Sequence, residues 1–410
     1  MSEKIPKGWK WVKLKDVIKI KHGYAFPGEN ITNQDTGKVL VTPGNFNIGG
    51  GFKSNKLKFY SKDYPKEYEF QGGEIIVVMT DLSKDADILG YSAKVPTDKK
   101  YKYLHNQRIG LVEIISSHVD KDFIYWLMRT TDYHSFIVGG ASGTSVMHTS
   151  PDRINEYSFP LPPLPEQKAI AEVLSSIDDK IDLLHRQNKT LEKIAMTLFK
   201  QWFIEPTKDG LPEGWEERGL GEIFDYLEGP GIRNWQYSTR GIPFLNIRLI
   251  ENGEINIKNA NFISEEEAFG KYKKFLLQEG DVVISTSGTL GKYAIVRKYH
   301  LPLLLNTSII RFRPKNKNYR IFMYLYLKSR EFKEYLESSA DGSVQANFGP
   351  THLRAIKIIV PPSHALEKFE KIISPLYEKF DNNFFQIKSL EKLRDTLLPK
   401  LMSGEVRVRF

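Results

Sequence analysis

The chain has 410 residues, a formal net charge of +9 and no cysteine, which excludes disulfides, thiolate metal sites and cysteine nucleophiles outright. Its 40% hydrophobic and 27% charged content describes a globular protein with core material for two or three domains. Nothing approaches the roughly 18 consecutive apolar residues of a membrane span, and Met1-Ser2-Glu3-Lys4 lacks an apolar signal core, so no membrane association and a cytoplasmic location are expected.

In chain order, the turn Pro6-Lys7-Gly8-Trp9 comes first and leads into Leu14-Lys15-Asp16-Val17, with Trp9 as a packing anchor. Gly72-Gly73-Glu74 then launches the β-branched run Ile75-Ile76-Val77-Val78-Met79-Thr80, the mark of a buried strand. The polar residues that follow, Thr80, Asp81, Ser83 and Lys84, are candidates for ligand contact. A second strand at Ile109 to Ile114 is preceded by Asn106, a helix is expected from Asp122 to Thr130, and Gly139 to Ser145 forms a small-residue loop. A strand from Tyr157 to Leu161 delivers the chain to Pro162-Pro163-Leu164-Pro165-Glu166-Gln167.

From there a helix is expected, without Pro or Gly, to the edge of Glu205-Pro206. Its seam is Ile170, Leu174, Ile177, Ile181, Leu184, Asn188, Leu191, Ala195, Leu198 and Trp202. The steps alternate four and three, a heptad repeat sustained for about 48 Å at helical rise. That length favours a coiled coil over one face of a globular core.

The whole arrangement then recurs. Pro212-Glu213-Gly214-Trp215 repeats the opening turn, and Gly280-Asp281-Val282-Val283-Ile284-Ser285 repeats the launched strand. Asn306 precedes Ser308 to Phe312, a helical stretch runs from Tyr319 to Leu336, and Ala340 to Asn347 is the loop. Ile356 to Val360 leads into Pro361-Pro362. The second seam is Phe369, Ile373, Leu376, Phe380, Asn383, Ile387, Leu390, Arg394, Leu397 and Leu401, on the same heptad phase. The fold class is therefore α+β, a tandem duplication of two globular lobes, each followed by a long helix.

Catalysis has no visible home. There is no phosphate loop, no Gly-x-Gly-x-x-Gly, no His-Glu-x-x-His and no Asn/Asp-Pro-Pro-Tyr, and the nine histidines are scattered. Asp178-Asp179 and Glu265-Glu266-Glu267 read as solvated faces. The positive balance favours a polyanionic partner. In the second lobe, Ser285, Thr286, Ser287, Thr289 and Lys292 offer hydroxyls and a cation suited to phosphate and base-edge bonding. Arg233, Asn234, Gln236 and Tyr237, around Trp235, form a further polar-aromatic cluster.

The duplication, the Pro160-Leu161-Pro162-Pro163-Leu164-Pro165-Glu166-Gln167 approach and Gly280 to Ile284 followed by Gly288-Thr289-Leu290-Gly291-Lys292 resemble the DNA-specificity subunit of type I restriction–modification systems. The resemblance covers essentially the whole chain. It implies target-recognition domains at 1–159 and 206–358, a first spacer helix at 160–205, and a second with the C-terminal tail at 359–410. It implies double-stranded DNA as ligand, with two adenine methyltransferase subunits and restriction/translocase subunits as partners. No cofactor would be bound by this chain; S-adenosylmethionine, ATP and Mg would sit on those partners. Glu166 and Gln167 become docking candidates, although the second approach, Pro361-Pro362-Ser363-His364-Ala365-Leu366, lacks the pair. Differing lobes imply an asymmetric bipartite site. The alternatives are a coiled-coil scaffold whose lobes bind protein, or an RNA-binding module.

The seam also predicts a register. In an antiparallel pair a faces d, so Asn188 meets Asn383, Ile170 meets Leu401, Leu184 meets Ile387, Leu191 meets Phe380, and Trp202 meets Phe369. Arg394 faces Ile177 and turns outward toward Asp178. A parallel pairing would bury two lone amides, each costing about 1–3 kcal/mol.

Overall fold

The computed structural model describes residues 5–83, 85–143, 146–251, 253–340 and 348–409. They form two compact units, Met1–Leu184 with Phe385–Phe410, and His185–Phe384. The two long helices, α1 (Leu164–Phe199) and α2 (Ser363–Ser403), each contribute to both units. The compact units thus cut across the helices instead of separating lobe from helix.

In the first unit the run Ile75–Val78 is one of the two inner strands of a four-stranded antiparallel sheet, ordered Ile18–His22, Ile109–Ile114, Ile75–Val78, Ser92–Lys94. All four of its side chains are buried. Strand alternation sends Ile75 and Val77 into one core and Ile76 and Val78 into another. A strand buried on both faces cannot alternate with polar residues, which is why the sequence here is β-branched throughout. The second core is closed by a five-stranded mixed sheet in which Lys38–Val41 and Lys102–His105 run parallel. The first core is closed by the helices Lys121–Leu127 and Thr131–Val138 and by the long helices, through Ile170, Leu174, Leu398, Leu401 and Met402.

The second unit repeats the four-stranded sheet and, in place of the five-stranded one, has a three-stranded mixed sheet. Its four-stranded sheet is ordered Phe224–Glu228, Ile309–Pro314, Val282–Ser285, Tyr293–Ile295. Val282 and Ile284 enter one core and Val283 the other. Ile242–Leu245 and Leu304–Leu305 form the parallel pair. The helical stretch expected from Tyr319 to Leu336 is two helices, Arg320–Lys328 and Arg330–Ala340. Ser329 breaks it by adopting extended backbone, and its hydroxyl accepts from the Phe332 N–H, as an N-cap does. Thr130 makes the same break in the first unit, capping a second helix that the sequence did not announce.

Each unit delivers its chain to a long helix through a short ladder: Lys10–Lys13 with Ser158–Leu161, and Glu216–Gly219 with Lys357–Val360. Helix α1 ends earlier than expected as an α-helix, giving way at Lys200–Ile204 to a wider turn. Within the second unit the helices run antiparallel, with Trp202 against Phe369 at 5.7 Å between ring centroids. Asn383 Nδ2 donates to Asn188 Oδ1 at 2.8 Å, and Asn188 Nδ2 to the Phe380 carbonyl at 3.3 Å. Within the first unit Ile177, Ile181, Leu184 and Ile387 form one apolar cluster.

Asp178 is no solvated face. It accepts from Arg394 Nη1 at 2.6 Å and from Arg129 Nη1 at 2.9 Å, tying the lobe to both helices of its unit. Burial opposes its charge, but the two guanidinium groups outweigh that and hold its carboxyl below the usual range. In the second unit the corresponding tie is Arg297, which bonds Asp381 at 2.9 Å and Glu254 at 2.8 Å.

Candidate nucleic-acid interface

The ends of the central strands and the loops after them hold the first group of sequence candidates, and the structure divides these by exposure. In the first unit Thr80 and Asp81 are buried, paired as a short strand with Met147–His148. The Asp81 carboxylate accepts from the Ser83 and Ile88 N–H groups, both at 2.7 Å, and Thr80 Oγ1 lies 3.2 Å from His148 Nδ1. The Ser83 hydroxyl accepts from the Asp87 N–H. These groups shape the loop, and Thr80 and Asp81 do not face a ligand, a correction to their expected role. Lys84 lies outside the described residues.

In the second unit Ser285 and Thr286 are likewise buried. The Ser285 hydroxyl donates to the Thr289 carbonyl and accepts from the Lys292 N–H at 2.9 Å, closing the Gly-containing loop on itself. Ser287 and Lys292 are half-buried and Thr289 is exposed. Lys292 Nζ reaches the Ile247 carbonyl at 3.4 Å.

The cluster around Trp235 also divides. Arg233 and Asn234 are exposed and Trp235 is 80% exposed. Gln236 is buried, its amide donating to Glu267 at 2.8 Å and to the Tyr272 hydroxyl at 3.0 Å. Its hydrogen-bonding groups are engaged, so the base-reading role expected of Gln236 gives way to a structural one. Tyr237 rests on Phe244 with 5.0 Å between centroids.

What brings the segments together is a residue named only as a strand neighbour. Asn306 is buried, donates to Asn246 Oδ1 at 2.8 Å, and receives the Ile232 N–H at 3.3 Å. Around it opens a cleft of about 430 Å³ lined by Asn246, Arg248, Asn261, Asn306, Thr307 and Ser308. Arg248 Nη2 is steadied by the Asn259 carbonyl and Asn261 Oδ1 at 2.9 and 2.8 Å. Apart from Asn261, which opens the neighbouring antiparallel strand, the polar lining comes from the segments that follow the parallel strands, which no local periodicity marks. The recurrence of Asn106 and Asn306 was the available signal.

Glu166 and Gln167 are fully buried. Glu166 takes a two-pronged ion pair from Arg407, both contacts at 2.7 Å, and the Trp9 indole N–H at 3.0 Å. Gln167 bonds the Asp120 N–H and the His118 and Pro162 carbonyls. Neither side chain is accessible to a partner, so the pair seals the junction of lobe and helix instead of docking. Leu366 holds the place of Gln167 in the second copy and joins the apolar core directly.

Among the described residues no His, Asp and Glu cluster could hold a metal ion, and no helix is long and apolar enough to cross a membrane.

The type I restriction modification DNA specificity domain matches this chain twice, at residues 6–193 and 212–392. The type I restriction enzyme MjaIX specificity subunit of Methanocaldococcus jannaschii is 30% identical, with 99% of this chain and 95% of that relative covered. The EcoBI specificity subunit of Escherichia coli is 22% identical, covering 98% and 87%. The crystal structure of the type I restriction-modification S subunit from M. genitalium shares the fold at a TM-score of 0.54 and 20% identity, over 98% of this chain and 97% of that one. Both copies of the duplication are matched along nearly their full length, and the chain accordingly belongs to the DNA-specificity subunits of type I restriction–modification systems, the non-catalytic members of those enzymes.

Proposed function

We propose that each lobe reads one half of an asymmetric bipartite site in double-stranded DNA, while the paired helices set the spacer and dock two adenine methyltransferase subunits. The observation that carries this reading is the duplication itself. One four-stranded antiparallel sheet and one parallel strand pair occur twice, with different polar side chains on the loops beside them. Two copies of one reader suit half-sites about one helical turn apart, roughly 34–36 Å. The net charge of +9 suits phosphate contact, which supplies affinity without sequence information.

Two exposed apolar positions are also duplicated, and they are the docking points this reading assigns to the methyltransferase subunits. Ile194 on α1 and Leu393 on α2 occupy equivalent places in the two copies and are 43% and 46% exposed. Equivalent exposed apolar side chains on two helices suit two copies of one partner. Restriction/translocase subunits would complete the assembly, with S-adenosylmethionine, ATP and Mg handled by the partner subunits in the cytoplasm.

The test is selection of randomised duplexes by the purified chain, followed by titration at rising salt. The expected result is two preferred blocks at fixed spacing and affinity falling with salt. Binding without base preference, alongside capture of protein partners through the lobes, would favour the scaffold reading instead.

A further inference from the structure

The two lobes share one turn whose frame is built alike and whose exposed side chains differ. Asn106 follows the strand Lys102–His105, and Asn306 follows Leu304–Leu305; both are buried. In each lobe a glycine passes directly beneath. A Cβ on Gly23 would stand 2.3 Å from the Asn106 carbonyl oxygen, and one on Gly229 2.0 Å from that of Asn306. Only glycine allows so close an approach. In each lobe the chain leaving the central strand clasps the turn from the other side. The Met79 N–H donates to the Arg108 carbonyl at 3.0 Å, and the Thr286 N–H to that of Ser308 at 2.9 Å.

The frame presents Gln107 and Arg108, both exposed, in the first lobe. In the second it presents exposed Thr307 and half-buried Ser308, the latter held at φ +64°. There Arg248 stands in the same cleft, and Lys292 lies beside Ile247. A site that must discriminate needs a rigid support under a few accessible side chains, and that is the division seen here. Gln and Arg are the side chains able to bond adenine and guanine bidentately in the major groove, and Thr bonds either.

Resting on the bipartite reading above, we propose that this turn is the base-reading element of each lobe. Gln107 and Arg108 contact base edges of one half-site, and Thr307 with Arg248 those of the other. Asn106 and Asn306 are positioning residues beneath them.

The experiment is duplex selection by the full chain carrying Gln107→Ala with Arg108→Ala, or Thr307→Val with Arg248→Ala. Each pair is expected to relax discrimination about tenfold at one or two base positions, in one block only and in opposite blocks. A uniform loss of affinity over all sequences, with the salt slope reduced by about one per cation removed, would overturn the proposal by making these phosphate contacts. So would unchanged selection. A parent chain that selects no bipartite sequence would overturn the broader reading and this inference with it. A parent that selects two blocks while both variants select the same two would overturn this inference alone. Arg248 also supports its loop, so Thr307→Val by itself keeps the second-lobe test if the double variant melts early.

Discussion

Replacing Asn188 and Asn383 by leucine, singly and together, tests whether the seam amides act as a pair. Both are nearly or fully buried, and the bond between them is 2.8 Å. Asn188→Leu leaves Asn383 Nδ2 with only Gln187 Oε1 at 3.4 Å, and Asn383→Leu leaves Asn188 with the Phe380 carbonyl. A stranded buried amide costs about 1–3 kcal/mol; the remaining contacts place each case near the lower end. The double variant strands neither group, so it should exceed the sum of the singles by roughly 2 kcal/mol. For a unit of this size that is a melting-temperature excess of about 4–8 °C, read by circular dichroism at the helical band. The absence of cysteine allows a companion test. Asn188→Cys with Asn383→Cys should cross-link on mild oxidation, and Asn188→Cys with Ile387→Cys should not. Additive single effects, or efficient cross-linking of 188 to 387, would refute the pairing.

Asp178→Asn should destabilise by about 2–3 kcal/mol, below the usual loss for a buried pair because Asp178 is 28% exposed while Arg129 is 5% exposed; thermal melting measures it. The Asp178 carboxyl is held below its ordinary range, so its contribution is complete above an unfolded value of about 3.9 and lost as pH falls through the folded one. The parent's melting temperature should therefore drop more steeply below about pH 4 than that of Asp178→Asn. Glu166→Ala should cost about 1–3 kcal/mol by leaving the buried Trp9 indole N–H unpaired, and Glu166→Gln should cost less in the same melt. Ile194→Asp with Leu393→Asp should reduce methyltransferase co-purification more than tenfold, each exposed apolar contact contributing about 1–2 kcal/mol, while duplex selection by the chain stays unchanged. Exchanging residues 211–355 for the second lobe of another family member should change one half-site only, as sequencing of selected duplexes would report.

The sequence announced whatever depends on periodicity. Heptad spacing located both long helices, and the paired asparagines specified which faces meet, because burying one amide without the other is expensive. The β-branched run at Ile75 marked a strand with two covered faces. The breaks at Thr130 and Ser329 were less legible, since a capping hydroxyl inside an apolar helical stretch resembles any other polar residue. Function was least legible. Asp81 and Ser285 close strands and Gln236 lies in a single helical turn, positions beside loops where ligand contacts also occur, yet their hydrogen bonds are satisfied within the fold. Conversely Asn246, Arg248 and Asn306 lie apart in sequence and meet only because two parallel strands end side by side. Glu166 misled for a related reason. Its counter-charge, Arg407, is 241 positions away, beyond any local pattern.

That distance bears on the order in which the chain can become structured during synthesis. The unit His185–Phe384 is continuous in sequence, whereas the other needs 385–410 to complete the core around Leu398, Leu401 and Met402. Residues 1–184 leave the ribosome first yet finish last, with their apolar helix face uncovered while the remainder is translated at about 5–20 residues per second. The waiting lobe is the natural client of a chaperone and the vulnerable half under proteolysis. A chain ended at residue 384 should show this directly, with protease sites opening in 1–184 while 185–384 stays protected.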